Sequence, residues 1–543
     1  MSSSFVHAPP PIHGDFRTDD AACAVYAESA GVMRRMPRAV AVPADLDDVR
    51  ALVRWANAGR LPLVPRGSGS SMAGGAVGDG VVLDLSRLST LSPVDNTART
   101  VWAGAGVLRR QVEHAANAVG LRFPVDPSSG TFATIGGMTA TNAAGPRTLA
   151  HGAMRRWVEA VDCIFADGSH ATIRRGAPLP PGVAALDRWL DARDAMRRDA
   201  AALPPSAVRK ESSGYGVHDY AASGDLVDLL VGSEGTLALL VGVQLRLAEI
   251  PAATASLLVG WPSLDLAVDG AALARTAGAT ACELLDRTFL DVARDGGTVP
   301  VPNDTECVLL VELEGDATVG AHARSLGAAC QSLGASTVLM GLDAESEEAL
   351  WALRHAASPI LSRLDPHLRS MQLVEDGCVP PDRLGDYVRG VRRALDVARF
   401  RGVVFGHAGD AHVHVNALVD VRETDWRARV RQLFDDVVAL TAALGGTLAG
   451  EHGDGRLRTP SLAQTWSPEA RALFAHIKHC FDPEGILNPG VIVLTDAIDD
   501  PLSNNKYDPA LPLLPAPARR VLDRVERERA YDRNRLEMLE NHA

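Results

Sequence analysis

Two short stretches in the second half of the chain carry residue types able to do chemistry together: Gly406-His407-Ala408-Gly409-Asp410-Ala411-His412-Val413-His414 and Gly450-Glu451-His452-Gly453-Asp454-Gly455. In a strand, side chains two apart share a face, so His412, His414 and Asn416 should project together. His407 stands an odd number of residues from His414, so both reach one point only if the chain turns between them, and Gly409-Asp410 supplies the turn. Imidazole and carboxylate suit zinc or manganese, and two of these histidines with a glutamate would make a three-residue donor set with room left for a substrate. Each histidine alone reads equally well as a polar core residue. The joint pattern points to a site.

The first half carries glycine-rich loops. Gly67 to Gly75 packs four glycines and three serines into nine positions directly after a strand reading as Leu61 to Arg66. Glycine lets backbone N–H groups converge without Cβ obstruction, which is how a loop cradles phosphate. No Lys-Ser/Thr follows, so this is not a P-loop, and no G-x-G-x-x-G precedes a helix, which disfavours a Rossmann dinucleotide site. A second cluster spans Asp126-Pro127-Ser128-Ser129-Gly130, Thr134-Ile135-Gly136-Gly137-Met138 and Asn142-Ala143-Ala144-Gly145. A third is Gly232-Ser233-Glu234-Gly235-Thr236, preceded by Lys210-Glu211-Ser212-Ser213-Gly214-Tyr215. Converging loops of this kind could hold one long ligand with a diphosphate.

The elements that must position these groups follow from periodicity. Asp45 is an N-cap for a helix with Leu46, Val49, Leu52, Val53 and Ala56 on one face, closed by Gly59. Val81 to Leu85 and Thr100 to Val107 read as strands, Leu108 to Val119 as a helix ended by Gly120, and Asp167-Gly168 as a hairpin turn. A domain boundary falls at Pro251. Beyond it, strands at 257–261, 281–285, 308–313 and 337–340 and helices at 264–277 and 321–333 run in the order β-α-β-β-α-β, a split unit in which helices cover one face of an antiparallel sheet. The class is α+β. The expected division is an N-terminal extension over 1–37, a first domain over 38–250, a second over 251–480, a segment returning to the first over 481–498, and a charged tail over 499–543. The tail run Glu526-Arg527-Glu528-Arg529 reads as a solvated face, with a docking helix as the alternative.

The chain has 543 residues, with 54 Lys and Arg against 67 Asp and Glu for a formal charge of −13. An acidic chain with no basic block is a poor polyanion binder, so no nucleic acid partner is expected. Its 46% hydrophobic and 22% charged residues describe a globular protein. Seven cysteines without a C-x-x-C pair argue against a zinc knuckle or a cysteine-ligated cluster and read as reduced buried thiols. No secretory signal is visible, and the apolar run Leu226 to Leu247 is broken by Asp228, Ser233, Glu234 and Arg246, so no transmembrane segment is expected. The chain reads as cytoplasmic, with a peripheral place at the inner membrane open to it.

Taken in order, Pro65-Arg66-Gly67-Ser68-Gly69, the segment Asp126 to Gly145, Gly214-Tyr215 and Gly232-Ser233-Glu234-Gly235-Thr236 resemble the PCMH-type FAD-binding domain of the vanillyl-alcohol oxidase flavoprotein superfamily. The two histidine motifs are similar to its D-2-hydroxyacid dehydrogenase branch, which includes D-lactate and D-2-hydroxyglutarate dehydrogenases and the glycolate oxidase flavin subunit. The resemblance covers roughly 38 to 495. It implies a two-subdomain FAD-binding domain plus a ferredoxin-like antiparallel-sheet cap domain with C-terminal helices. It implies FAD held by Arg66, Gly67, Ser68, Gly69, Ser70, Ser71, Pro127, Ser128, Thr134, Gly136, Gly137, Asn142, Gly145, Gly232, Glu234, Gly235 and Asn488. Some members attach the flavin through a histidine in the first loop, and Ser70 in that place implies non-covalent FAD. The resemblance assigns a divalent metal to His407, His414 and Glu451, the base to His452 and the substrate carboxylate to Arg354. Asn416 is a further polar contact and Arg369 a weaker one. Family members carry Gly-Asn where this chain has Ala411-His412, so His412 is either an extra ligand or a change in substrate fit. Arg456 and Arg458 could meet a second carboxylate or be solvated, and Glu375-Asp376 receives no catalytic role.

The implied reaction oxidises a small D-2-hydroxy acid to its 2-oxo acid: a Lewis acid lowers the hydroxyl pKa, an imidazole takes the proton, and hydride passes to flavin N5. The implied electron acceptor is a quinone, a cytochrome, an electron-transfer flavoprotein or an iron–sulfur subunit, with a homodimer among the assemblies allowed. Two alternatives stand beside this reading: an oxidase passing electrons to oxygen, and a flavin-binding electron-transfer subunit of a larger complex.

Overall fold

The computed structural model describes residues 8–296, 300–355, 367–495 and 500–541. Positions 496–498 of the expected returning segment, positions 499, 542 and 543 of the tail, positions 297–299 and 356–366 of the second domain and positions 1–7 of the extension lie outside the described residues.

The first sheet has the order Asp15–Arg17, Ala39–Val42, Val81–Asp84, Leu63–Arg66; its first pair is antiparallel and the others parallel. Residues 1–37 are therefore not a detached extension, since Asp15–Arg17 is the edge strand of this sheet. The helix Leu46–Gly59 crosses between parallel strands, with Asp45 Oδ1 accepting from Asp48 N at 3.0 Å and Val49, Leu52, Val53 and Ala56 buried. Its stop is one residue later than expected. Gly59 is the last helical residue and Arg60 takes the left-handed conformation, φ 50°, because the cap needs only a residue whose N–H can turn back to the final carbonyls.

The second sheet has the order Thr100–Gly104, Leu239–Arg246, Val158–Ile164, His170–Arg174 and is antiparallel throughout. Gly168 makes the expected hairpin turn with φ +77°. The helix Pro468–Phe481 returns to this half of the molecule and buries Phe474 and Phe481 against Tyr215 and Phe165. Ile486 to Asn488 then runs along the first sheet: Leu63 N donates to Ile486 O and Asn488 N to Leu63 O, both at 2.8 Å.

The cap sheet has eight strands. Thr337–Gly341, Ala253–Trp261, Cys307–Gly315 and Ala281–Asp286 form the ferredoxin-like half, covered by the helices Leu264–Thr276 and Val319–Leu333. The β-α-β-β-α-β reading leaves out the helix Arg287–Gly296, a short element whose Phe289, Leu290 and Val292 are buried. It also stops the sheet too early, since Leu284 pairs with Gly406 and Leu285 with Phe405. Through that seam Ala281–Asp286 continues into the hairpin Arg401–His407 and His412–Asp420, and then into Leu368–Met371. Gly377–Cys378 pairs with the same hairpin strand.

The cap sheet and the N-terminal half meet through ion pairs. Arg122 grips both oxygens of Glu314 at 2.6 and 2.5 Å, and Arg147 grips Glu312 at 2.7 and 2.8 Å and Asp126 at 2.5 Å. The tail is folded. Ala516–Glu528 and Arg535–Glu540 bury Ala518, Val521, Val525, Leu536 and Leu539 against Ala22 and Val25 of the N-terminal helix Asp20–Val25 and its C-cap Tyr26. Glu526 to Arg529 are exposed, as a solvated run requires, but they sit on a helix whose opposite face is core. All seven cysteines are buried free thiols. Among the described residues no helix is long and apolar enough to cross a membrane.

Candidate active site

The register explains the histidine cluster. His407 pairs with His412 and Phe405 with His414 across the hairpin, and cross-strand partners share a face. His407, His412 and His414 therefore project together although their sequence separations are mixed. The turn runs over Ala408–Asp410, and Ala411 closes it with φ 55°, a left-handed value costly for a residue with a Cβ.

Glu451 is where the imidazoles converge. His407 Nε2 and His414 Nε2 each lie 3.4 Å from Glu451 Oε1, and His412 Nδ1 lies 4.0 Å from Oε2. Each ring is held from behind: His407 Nδ1 by Glu283 Oε1 at 2.5 Å, His414 Nδ1 by the Glu375 carbonyl at 2.8 Å, and His412 Nε2 by Asp376 Oδ1 at 2.8 Å. His412 Nδ1 is buried and has no hydrogen-bond partner. The donor set fits a divalent cation: rings anchored at one nitrogen aim the other at a shared carboxylate.

His452 is the most open of the four, with 28% of its side chain exposed. Its Nδ1 is 2.9 Å from Glu375 Oε2, and its ring stacks on that of His414 at 5.5 Å. Burial alone would lower its pKa, but the charges of Asp376 and Glu375 outweigh this and hold it up at about 9. Burial dominates at His412, which falls to about 3. Burial opposes the charge on Glu451 too, yet Lys210 and His407 keep it well below the usual carboxylate range.

Several residues that hold this site had no role in it, or a different one, in the sequence reading. Glu283 bridges Arg354 Nε, at 2.8 Å, to His407. Lys210 is fully buried, its Nζ 3.1 Å from Glu451 Oε2 and 3.0 Å from the Gly145 carbonyl. Glu375 and Asp376, read without a role, anchor His452 and His412, and Asp376 Oδ2 also accepts from the backbone N–H groups of Glu451 and His452 at 3.1 and 2.8 Å. Arg458 is neither solvated nor turned to a substrate: it is fully buried on Glu375 and on the Gly453 carbonyl. Arg456 donates to Asn488 Oδ1 at 2.7 Å and to the carbonyls of Gly74, Gly75 and Pro489. A charge inside the otherwise apolar run Ala281 to Leu285 was the one visible sign of Glu283.

A cavity of about 2060 Å³ joins the histidines to the glycine loops. Its wall includes Arg66 to Met72, Pro127, Ser128, Thr134, Gly136, Gly137, Gly145, Glu234 and Gly235, together with Arg354, Asn416, His407, His414, Glu451 and His452. The sequence also placed Asn142, Gly232 and Asn488 on the ligand, and the structure puts them behind the loops. Asn488 Nδ2 ties Gly75 O to Glu234 O at 3.1 and 2.7 Å, Asn142 Oδ1 accepts from Arg155 N at 2.9 Å, and Gly232 turns with φ +84°. Arg66 lines the wall, but its guanidinium points back to the carbonyls of Tyr26, Glu28 and Ala76.

The loops fit a dinucleotide. A Cβ on Gly67 would lie 2.2 Å from Thr134 Oγ1, one on Gly136 would lie 2.7 Å from Ala105, and Gly69 needs φ +73°, so backbone can approach a ligand where a side chain could not. Ser71 Oγ is buried and unpartnered beside them. A cradle of this kind on a two-sheet domain, facing a capped histidine and carboxylate cluster, suits an oxidoreductase that holds a dinucleotide cofactor.

Comparison with known proteins agrees. Residues 37–174 match the FAD binding domain family, and residues 250–492 match the C-terminal domain of FAD linked oxidases. The chain is 30% identical over 468 residues to the glycolate oxidase subunit GlcD of Bacillus subtilis, covering 85% of this chain and 90% of that one. It is 30% identical over 460 residues to a D-lactate dehydrogenase of Archaeoglobus fulgidus, covering 84% and 91%. The fold superposes on 4-ethylphenol oxidase from Gulosibacter chungangensis with a TM-score of 0.66 at 16% identity, over 88% of this chain and 94% of that one. The chain belongs to the FAD-linked oxidase family and is an FAD-dependent oxidoreductase.

Proposed function

We propose that the protein oxidises a small D-2-hydroxy acid to the 2-oxo acid, using non-covalent FAD and a divalent cation, and passes the electrons to an acceptor other than NAD. The observation that carries this reading is the convergence of His407 Nε2 and His414 Nε2 on Glu451 Oε1, 3.4 Å each, in the cavity that also contains the flavin loops. Bound flavin supplies a hydride acceptor, and zinc or manganese held by His407, His414 and Glu451 supplies a Lewis acid for the substrate hydroxyl.

Charge balance supports the cation. Glu283, Glu375, Asp376, Asp410 and Glu451 are buried together. The fixed cations against them are Lys210, Arg354, Arg458 and the partly exposed Arg209. Low-dielectric surroundings make such a deficit costly; protons on His414, raised to about 10, and on His452 offset it here, and a divalent cation among the histidines would take their place.

The chain's own residues divide the remaining work. His452 donates Nδ1–H to Glu375, and in its neutral form Nε2 can take the hydroxyl proton; its pKa of about 9 makes that form the minor one at neutral pH, and a cation held beside it by His414 and Glu451 would favour it. Arg354 uses Nε on Glu283 and lies over the Phe405 ring at 4.7 Å, so its Nη pair forms a preoriented fork for the substrate carboxylate. Asn416 Oδ1 is buried without a partner and can accept from a substrate hydroxyl.

Anaerobic mixing of the flavoprotein with D- and L-lactate, D-2-hydroxyglutarate, D-malate and glycolate tests the reading. One D-2-hydroxy acid should bleach the flavin faster than the others, and a chelator should abolish the bleaching. Bleaching by no 2-hydroxy acid overturns it. Peroxide formed in step with turnover in air overturns the choice of acceptor in favour of an oxidase.

A further inference from the structure

The C-terminal tail lies beyond both family matches, the second of which ends at residue 492, yet it touches the cofactor cradle at two points. On one side Arg535, almost fully buried, donates Nη2 to the carbonyl of Ser68 in the first glycine loop at 3.2 Å. On the other side the Tyr531 ring packs on Phe132 of the second loop cluster at 5.1 Å, and the Arg529 guanidinium lies 5.1 Å over the same ring. Asp532 completes this contact through Arg110, which bonds Asp532 at 2.8 Å and the Thr131 carbonyl at 2.5 Å. Arg529 and Tyr531 line the cavity itself.

The electrostatics at the Ser68 side call for an anion. Arg66 and Arg535 are both buried behind the loop, and their hydrogen bonds go to carbonyls, of Tyr26, Glu28 and Ala76 for Arg66 and of Ser68, Ala530 and Arg533 for Arg535. Asp84, bonded to the Tyr26 hydroxyl at 2.7 Å, is the buried carboxylate close to them. Burial, and then repulsion from Arg535, hold Arg66 down to about 10. Arg535 Nε is buried with no partner. Two guanidiniums behind a glycine-rich loop that lines the cavity make a positive field that a diphosphate would neutralise.

We infer that residues 529–535 complete the FAD site, latching the first glycine loop to the second so that the tail sets how tightly and how long the cofactor is held. The inference rests on FAD occupying this cavity. Arg535 acts through the Ser68 loop and is a positioning residue, whereas Arg529 and Tyr531 face the cavity.

The test uses full-length protein stripped of flavin and titrated with FAD by flavin fluorescence, with dissociation followed after dilution into excess apoprotein of an unrelated flavin binder. Arg535→Met should raise the Kd at least tenfold. The cavity-facing double variant Arg529→Gln with Tyr531→Leu should raise it at least fivefold and speed dissociation, while its FAD-free melting temperature stays within about two degrees of wild type. Amide hydrogen exchange across 516–540 should slow when FAD is added to wild type. A double variant whose Kd and dissociation rate stay within twofold of wild type overturns the inference, whether or not Arg535→Met folds. Unchanged exchange in the tail overturns it as well. Wild-type protein that takes up no FAD would refute the cofactor assignment itself, a distinguishable failure.

Discussion

Replacing Glu314 by Gln probes how the cap is held on the flavin domain. Glu314 accepts two hydrogen bonds from Arg122 and one from His151 Nε2 at 3.0 Å. Burial would raise its carboxyl, but those partners overcome it and hold the pKa at about 2 against an ordinary 4.5. A depressed carboxyl adds stability that is complete above the unfolded pKa and disappears as pH falls through the folded one, so the window runs from about 4.5 down to about 2. The full shift corresponds to about 3 kcal/mol; because the pair is partly solvated, about 1–2 kcal/mol is the expected cost of the substitution at neutral pH. Urea unfolding of wild type and Glu314→Gln should differ by that amount at pH 7, and more than half of the difference should be gone by about pH 3. The neighbouring Arg147 joins Glu312 of the cap to Asp126 at the edge of the second glycine cluster, so the variant should also weaken FAD binding. An equal difference at both pH values, or none at pH 7, would refute the ion-pair account of this interface.

Four further outcomes follow from the site. His452→Asn should slow anaerobic flavin reduction by roughly 10²- to 10⁴-fold, the usual worth of a general base, with the FAD Kd unchanged in fluorescence titration. His414→Ala should remove the bound metal from purified protein, as read by elemental analysis, and leave the flavin spectrum intact. Arg354→Gln should raise KM by roughly 10- to 100-fold, the worth of a charge-assisted carboxylate bond, as seen in steady-state assays with a dye acceptor. Ala411→Gly, at a backbone position with φ 55°, should stabilise the protein by about 0.5–1 kcal/mol in urea, the left-handed penalty less the added chain entropy of glycine.

Local features were legible where the physics is local. Asp45 caps its helix, Asp167-Gly168 makes its hairpin, and alternation puts His412, His414 and Asn416 on one face. What those side chains meet depends on strand neighbours distant in sequence. Glu283 reaches His407 only because Ala281–Asp286 pairs with Arg401–His407, and Lys210 reaches Glu451 only because the loop before Gly214 folds under the cap. No spacing rule links residues 124 or 241 positions apart. The tail misled for a different reason. Its charges at Glu526 to Arg529 are exposed as read, but the stripe of Ala518, Val521 and Val525 at helical spacing is the stronger signal, since it needs a partner face and finds one on Asp20–Val25.

The same comparison shows why the two histidine motifs act as one unit. Asp376 spends one oxygen on His412 and the other on the backbone N–H groups of Glu451 and His452. Its neighbour Glu375 holds His452 through the side chain and His414 through the main chain, while Arg458, three residues past the second motif, holds Glu375. A rotation of either motif would therefore leave a buried carboxylate without its partners, at a cost of several kcal/mol. The geometry around Glu451 is set by a closed ring of buried charges that neither motif contains by itself, and the dipeptide Glu375-Asp376, lying outside both, is the piece that locks them in register.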